Sequence, residues 1–105
     1  MSQYDIVIVN LDPTIGSEIR KTRPCVVISP DEMNRHLNTI VIAPIISQSK
    51  NYPTRLKIMV EKQINWVVVD QVRSIDKTRV IRKISELSPG EVKELKNSNR
   101  ETYVD

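Results

Sequence analysis

Short runs of Val and Ile separated by polar breaks dominate the chain. "YDIVIVNL" (4–11), "RPCVVIS" (23–29), "TIVIAPI" (39–45), "RLKIMV" (55–60) and "WVVVDQV" (66–72) have the length and β-branched content of strands. In "RLKIMV", Leu56, Ile58 and Val60 alternate with Arg55, Lys57 and Met59, the period of a half-exposed strand. "VIRKI" (80–84) offers a sixth, shorter strand. Two segments read as helix. "SPDEMNRH" begins with Ser-Pro before Asp31 and Glu32 but spans barely two turns. "LSPGEVKELKNS" places Ser88 as N-cap, Pro89 at the first helical position and Glu91 three residues after the cap, with Val92 and Leu95 on one face. The polar "NSNRETYVD" that follows is expected to fray. Five or six short strands and one terminal helix predict a small, strongly bent antiparallel sheet or barrel, mainly β, as one domain over residues 1–105.

Composition narrows the class. The 39% hydrophobic and 28% charged content is ordinary for a globular domain, and no apolar run approaches the roughly 20 residues that cross a bilayer. "MSQYDIVIVN" has neither a basic start nor a small-residue cleavage site, so the expectation is a cytoplasmic protein without a membrane anchor. The single cysteine, Cys25, cannot form an internal disulfide or a cysteine zinc site and reads as a buried apolar residue. The single histidine, His36, reads as a surface residue closing a short turn. The net charge is only +3, but residues 1–19 hold Asp5, Asp12 and Glu18 and no basic residue. The remainder carries all 16 Lys and Arg against 10 acids, a balance of +6 that suits a polyanion or an acidic protein partner.

Candidate chemistry gathers in three places. The segment "DPTIGSEIRKT" (12–22) is too long for a tight hairpin and holds Thr14, Ser17, Glu18, Arg20 and Lys21. It leads to Arg23, whose backbone is biased to an extended conformation by Pro24, so that its guanidinium can aim a donor fork at a phosphate. Arg23 cannot act as a base near neutral pH; stabilising charge and positioning are its available roles. In "PIISQSK" (44–50) an apolar strand breaks into Ser47, Gln48, Ser49 and Lys50, either a plain turn or a reactive site. "VDQVRSIDKTR" (69–79) presents Asp70, Gln71 and Arg73, which read either as an Asp70–Arg73 salt bridge or as base and phosphate contacts. P-loop, GxGxxG, HExxH, CxxC and EF-hand patterns are lacking, so the sequence gives metal and nucleotide-triphosphate chemistry no foothold. With only Tyr4, Tyr52, Trp66 and Tyr103 as aromatics, a groove of Arg, Lys and hydroxyls fits better than a broad stacking platform.

Taken together, "LDPTIGSEIRKTRPCVVISPDEMN", "APIISQSKNYP" and "VDQVRSID" resemble the MazF/PemK family of toxin endoribonucleases in order and spacing, from about Asp5 to Lys96. The resemblance implies a small SH3-like barrel with a C-terminal helix, a homodimer, no metal or other cofactor, and cleavage of single-stranded RNA within a short sequence. It implies attack of the 2′-hydroxyl on the adjacent phosphorus, leaving a 2′,3′-cyclic phosphate and a 5′-hydroxyl. It also implies an acidic antitoxin as partner. The catalytic arginine before proline maps onto Arg23 and the loop glutamate onto Glu18. Thr14, Ser17, Arg20, Lys21, Gln48, Lys50, Asp70, Gln71 and Arg73 are the expected RNA contacts.

One position departs from the pattern. Where the family keeps a catalytic threonine, this chain has Ile46. Either Ser47 supplies the hydroxyl from one residue away, although neighbours on a strand point to opposite faces, or the chain is a weakened nuclease that mainly binds RNA or antitoxin. A third reading, a gyrase-inhibitor-like toxin on the same fold, draws little support from the polar C-terminus "NRETYVD".

Overall fold

The computed structural model describes residues 1–11, 22–49, 52 and 54–103, with side chains through residue 98. Among the described residues seven strands form one continuous antiparallel system: β1 (Asp5–Asn10), β2 (Thr22–Val27), β3 (Thr39–Ile46), β4 (Arg55–Val60), β5 (Gln63–Val68), β6 (Arg73–Asp76) and β7 (Val80–Glu86). Helix α1 (Asp31–His36) separates β2 from β3, with His36 exposed in its last turn, and α2 (Pro89–Tyr103) closes the chain. Strand order is β4-β5-β3-β2-β1-β7, and β6 pairs with β3. The expected bent antiparallel sheet with a C-terminal helix is the observed architecture. No helix among the described residues is long and apolar enough to cross a membrane.

The apolar runs in β1, β2 and β3 do not alternate because both faces of these strands are covered. Ile6, Val26, Ala43 and Ile45 join Leu56, Ile58, Val67 and Leu95 in one core layer. Val7, Val9, Cys25, Val27, Ile40, Ile42 and Ile75 form the other. Cys25 is therefore the buried apolar residue expected of it. A buried polar knot fixes the turn from β2 into α1: Ser29 Oγ donates to Asn34 Oδ1 (2.5 Å) and accepts from Val41 N (3.0 Å), while Asn34 Nδ2 donates to Ser29 O (2.9 Å).

β3 changes partner along its length. Residues 39–42 pair with β6, and Ile45 and Ile46 pair with β5. Pro44, which has no N–H to give, lies between the two ladders. β4 and β3 both run antiparallel to β5 on its two sides. β3 therefore ends toward the Trp66 end of β5, whereas β4 begins at its Val68 end.

Three elements differ from the sequence reading. The strand expected over 66–72 begins at Gln63 and stops at Val68, where a 3₁₀ turn (Val69–Gln71) takes over. β6 was not anticipated, because its four residues RSID contain a single apolar side chain. The tail expected to fray continues α2 to Tyr103. At the start of that helix the expected capping box is present: Glu91 N donates to Ser88 Oγ (3.2 Å) and Ser88 N to Glu91 Oε1 (2.9 Å). The other carboxylate oxygen, Oε2, accepts the backbone N–H of Met59 at 2.8 Å, tying α2 to β4.

The β4–β5 hairpin turns on two residues, since Val60 is the register partner of Gln63. Both turn residues are left-handed, Glu61 at φ 48° and Lys62 at φ 68°, the geometry that favours Asn-Gly. A non-glycine residue held there costs on the order of 1 kcal/mol or more. Glu61→Asn combined with Lys62→Gly is therefore expected to stabilise the fold by about 1–2 kcal/mol, measured as a higher urea midpoint at unchanged slope.

Candidate active site

The β2–β3 ladder runs Val27↔Ile42, Val26↔Ala43 and Cys25↔Pro44, and stops there. The next β2 residue is Pro24, again without an N–H, and beyond it the two strands part. The gap is a cleft of about 410 Å³ lined by Thr22, Arg23 and Pro24 from β2, Ile45, Ile46, Ser47 and Gln48 from β3 and its continuation, and Asn65 from β5. Had the ladder continued, Arg23 would face Ile46. Side chains of both strand parities meet here, because the cleft is a parting between strands rather than a sheet face. Ser47 follows the last strand residue in a bend and is exposed, so the alternation that binds Ile45 and Ile46 no longer governs it. The one-residue slip weighed from sequence is thus no obstacle to a shared site.

The cleft is electropositive on the β2 side. Arg23, Cys25 and Val27 occupy one strand face, and Ile42, the partner of Val27, is also the partner of Arg73. Arg23 and Arg73 therefore share that face, with the Cys25 thiol beneath them. Burial pushes this thiol up to about 12, against a smaller opposing pull from the two guanidiniums. Its Sγ donates to the Arg23 carbonyl oxygen at 3.6 Å. Thr22 and Arg23 are exposed, leaving the guanidinium accessible.

The expected Asp70–Arg73 salt bridge is not formed. Asp70 pairs instead with Arg55 at the start of β4, whose side chain is only 16% exposed. Arg55 also donates to Thr54 Oγ1 (3.2 Å), and its guanidinium lies 5.5 Å from the centre of the Tyr52 ring. The 3₁₀ turn sets Asp70 facing this group, while Arg73 begins β6 and points elsewhere along β3. Asp70 therefore serves an ion pair that anchors the end of the β3–β4 crossover, and Gln71 beside it stays exposed.

Of the residues singled out in sequence, Arg23, Ser47 and Gln48 are brought to one cleft. Thr14, Ser17, Glu18, Arg20, Lys21 and Lys50 lie outside the described residues. Asn65 lines the cleft without having been foreseen, and so does Thr22, a residue of the 12–22 segment that was not among the expected RNA contacts. Thr22 adjoins the recognised Arg-Pro pair, whereas Asn65 stands in no motif and is placed only by the β3–β5 pairing. Among the described residues no three His, Cys, Asp or Glu side chains group as metal ligands would. A larger groove of about 880 Å³, between Met59 and the start of α2, is bordered by Leu87, Pro89 and Val92; its Glu91 is already committed to capping.

With its pKa raised by burial, Cys25 should stay unmodified by a thiol-specific disulfide reagent at pH 8 in the folded protein and react fully in denaturant. The sign of the pH dependence follows. Below the ordinary value of 9.0 the thiol is protonated in both states, and between there and about 12 only the unfolded chain ionises. Stability should fall over that window, and less so in Cys25→Ala.

A family model described as PemK-like, MazF-like toxin of type II toxin–antitoxin system matches residues 2–101. The Endoribonuclease MazF of Staphylococcus saprophyticus is 31% identical over 105 residues, covering 93% of this chain and 87% of that protein. The Endoribonuclease toxin MazF of Escherichia coli is 37% identical over 71 residues, 68% of this chain and 64% of that protein. A solved mycobacterial endoribonuclease in complex with its cognate antitoxin shares the fold, with a TM-score of 0.83 at 14% identity, covering 97% of this chain and 93% of that one.

Proposed function

The chain belongs to the PemK-like, MazF-like toxin family of type II toxin–antitoxin systems and is an endoribonuclease of the MazF type; from that premise we propose that it cuts single-stranded RNA, mRNA included, without a metal. The observation that supports the reading is the cleft that Arg23, Ser47 and Gln48 line together. The RNA 2′-oxygen attacks the adjacent phosphorus, the bond from phosphorus to the 5′-oxygen breaks, and the products carry a 2′,3′-cyclic phosphate and a 5′-hydroxyl. DNA, with no 2′-hydroxyl, is not cut.

In this scheme Arg23 donates to the phosphoryl oxygens as negative charge builds on them. Glu18 orients Arg23 or takes the 2′-proton. Ser47 supplies the hydroxyl that Ile46 does not, and Gln48 contacts phosphate or base. Thr14, Ser17, Arg20, Lys21, Lys50, Gln71 and Arg73 hold the strand. Asp70 contributes through Arg55. A cytoplasmic homodimer held in check by an acidic antitoxin completes the proposal, in keeping with the +6 balance beyond residue 19 and with the antitoxin-bound mycobacterial neighbour.

Two experiments test it. Purified protein incubated with a long RNA in EDTA should yield discrete cuts with 5′-hydroxyl ends, and Arg23→Ala should slow cutting roughly 10²- to 10³-fold; parental rates in that variant would sink the assignment. Ser47→Ala should cause a loss of similar order if Ser47 carries the hydroxyl. A sharp gain from Ile46→Thr with no loss in Ser47→Ala would instead identify a site impaired at position 46.

A further inference from the structure

Asn65 lies at a position that the fold itself would fill with an aliphatic side chain. It is in the interior of β5, where a carboxamide is disfavoured because it packs poorly on a pleated, half-buried surface. Its ladder partner is the buried Ile58, and Val67, two residues on and on the same strand face, is fully buried. Asn65 is half-buried and opens into the cleft. Its Nδ2 donates one long bond, 3.3 Å, to Gln63 O, and among the described residues its Oδ1 accepts none. A local rule broken at the wall of a functional cleft marks a contact made to something else.

We propose that Asn65 is a specificity-determining residue that reads one unpaired base of the RNA, its carboxamide hydrogen-bonding the Watson–Crick edge. The proposal rests on the RNA-cleavage reading above. Arg23 lines the same cleft and in that reading holds the phosphate, so the base within reach of Asn65 is one next to the bond that is cut. A carboxamide offers one acceptor and adjacent donors, and the edge of an unpaired base offers the complementary pair. The backbone of β5 is fixed by β4 along its whole length and by β3 at Val67 and Trp66. That rigidity suits a reading residue better than the exposed Gln48, which follows the end of β3.

The test is the sequence at the cut ends of a randomised RNA treated with the full-length protein, compared for the parental chain, Asn65→Ala and Asn65→Asp. Asn65→Ala should lose the base preference at one position and keep it elsewhere, with kcat/KM on the best parental substrate reduced roughly 5- to 150-fold. Substrates already mismatched at that position should be cut at near-parental rates. Asp presents acceptors only, so Asn65→Asp should enrich guanine there, the base whose edge carries two adjacent donors. Its added negative charge also lowers the overall rate, which leaves the sequence at the ends interpretable. An unchanged motif in Asn65→Ala, with any rate change uniform across substrates, would overturn the assignment alone. Absence of cuts by the parental protein would overturn the RNA-cleavage reading and this inference with it.

Discussion

Pairing between β2 and β3 ends at Cys25 and Pro44, and the cleft exists because it ends there. Ile28 N donates to Val41 O, so in this register residue 24 would be the next to donate across to β3, and Pro24 has no N–H to give; the nitrogen of Pro44 faces the other side of β3, between the β6 and β5 ladders. The cost in lost hydrogen bonds is local, because both strands are held elsewhere: β2 by β1 along its length, β3 by β6 before the break and by β5 after it. The parting leaves Arg23 of β2 and Ser47 after β3 lining one cleft.

The same constraint accounts for the charge distribution. Arg23 and Arg73 come from segments fifty residues apart in sequence, yet pairing of both β2 and β6 to β3 puts them on one face above the Cys25 thiol. Both guanidiniums act on that thiol, each opposing the rise that burial causes. Arg55, the other arginine of this region, is paired with Asp70.

What was legible in sequence followed physical strength. Strands dense in Val and Ile were visible, as were the capping box at Ser88 and the Arg23-Pro24 pair, because each is a local rule written in adjacent residues. β6 and the start of β5 were not, since Arg73–Asp76 and Gln63–Asn65 hold too few apolar side chains to show a period, and Glu61-Lys62 lacks turn chemistry. Asp70 was assigned to the nearest cation in sequence, Arg73, whereas a 3₁₀ turn hands it to Arg55, fifteen residues away. Asn65 carries no motif, and only the folded arrangement of β5 beside β3 reveals that it lines the same cleft as Arg23.

β4 is the outermost strand on one side of the sheet, and the outward amides of such an edge are a template on which another chain can add a strand; that of Arg55 is taken by Tyr52 O (3.0 Å). Glu91 occupies one of those amides, at Met59, with the same carboxylate that caps α2. Helix start and sheet border are thereby joined in one group: if the first turn of α2 loosens, the border of β4 is uncovered at the same moment. A single carboxylate thus couples the integrity of the terminal helix to protection against edge-to-edge self-association.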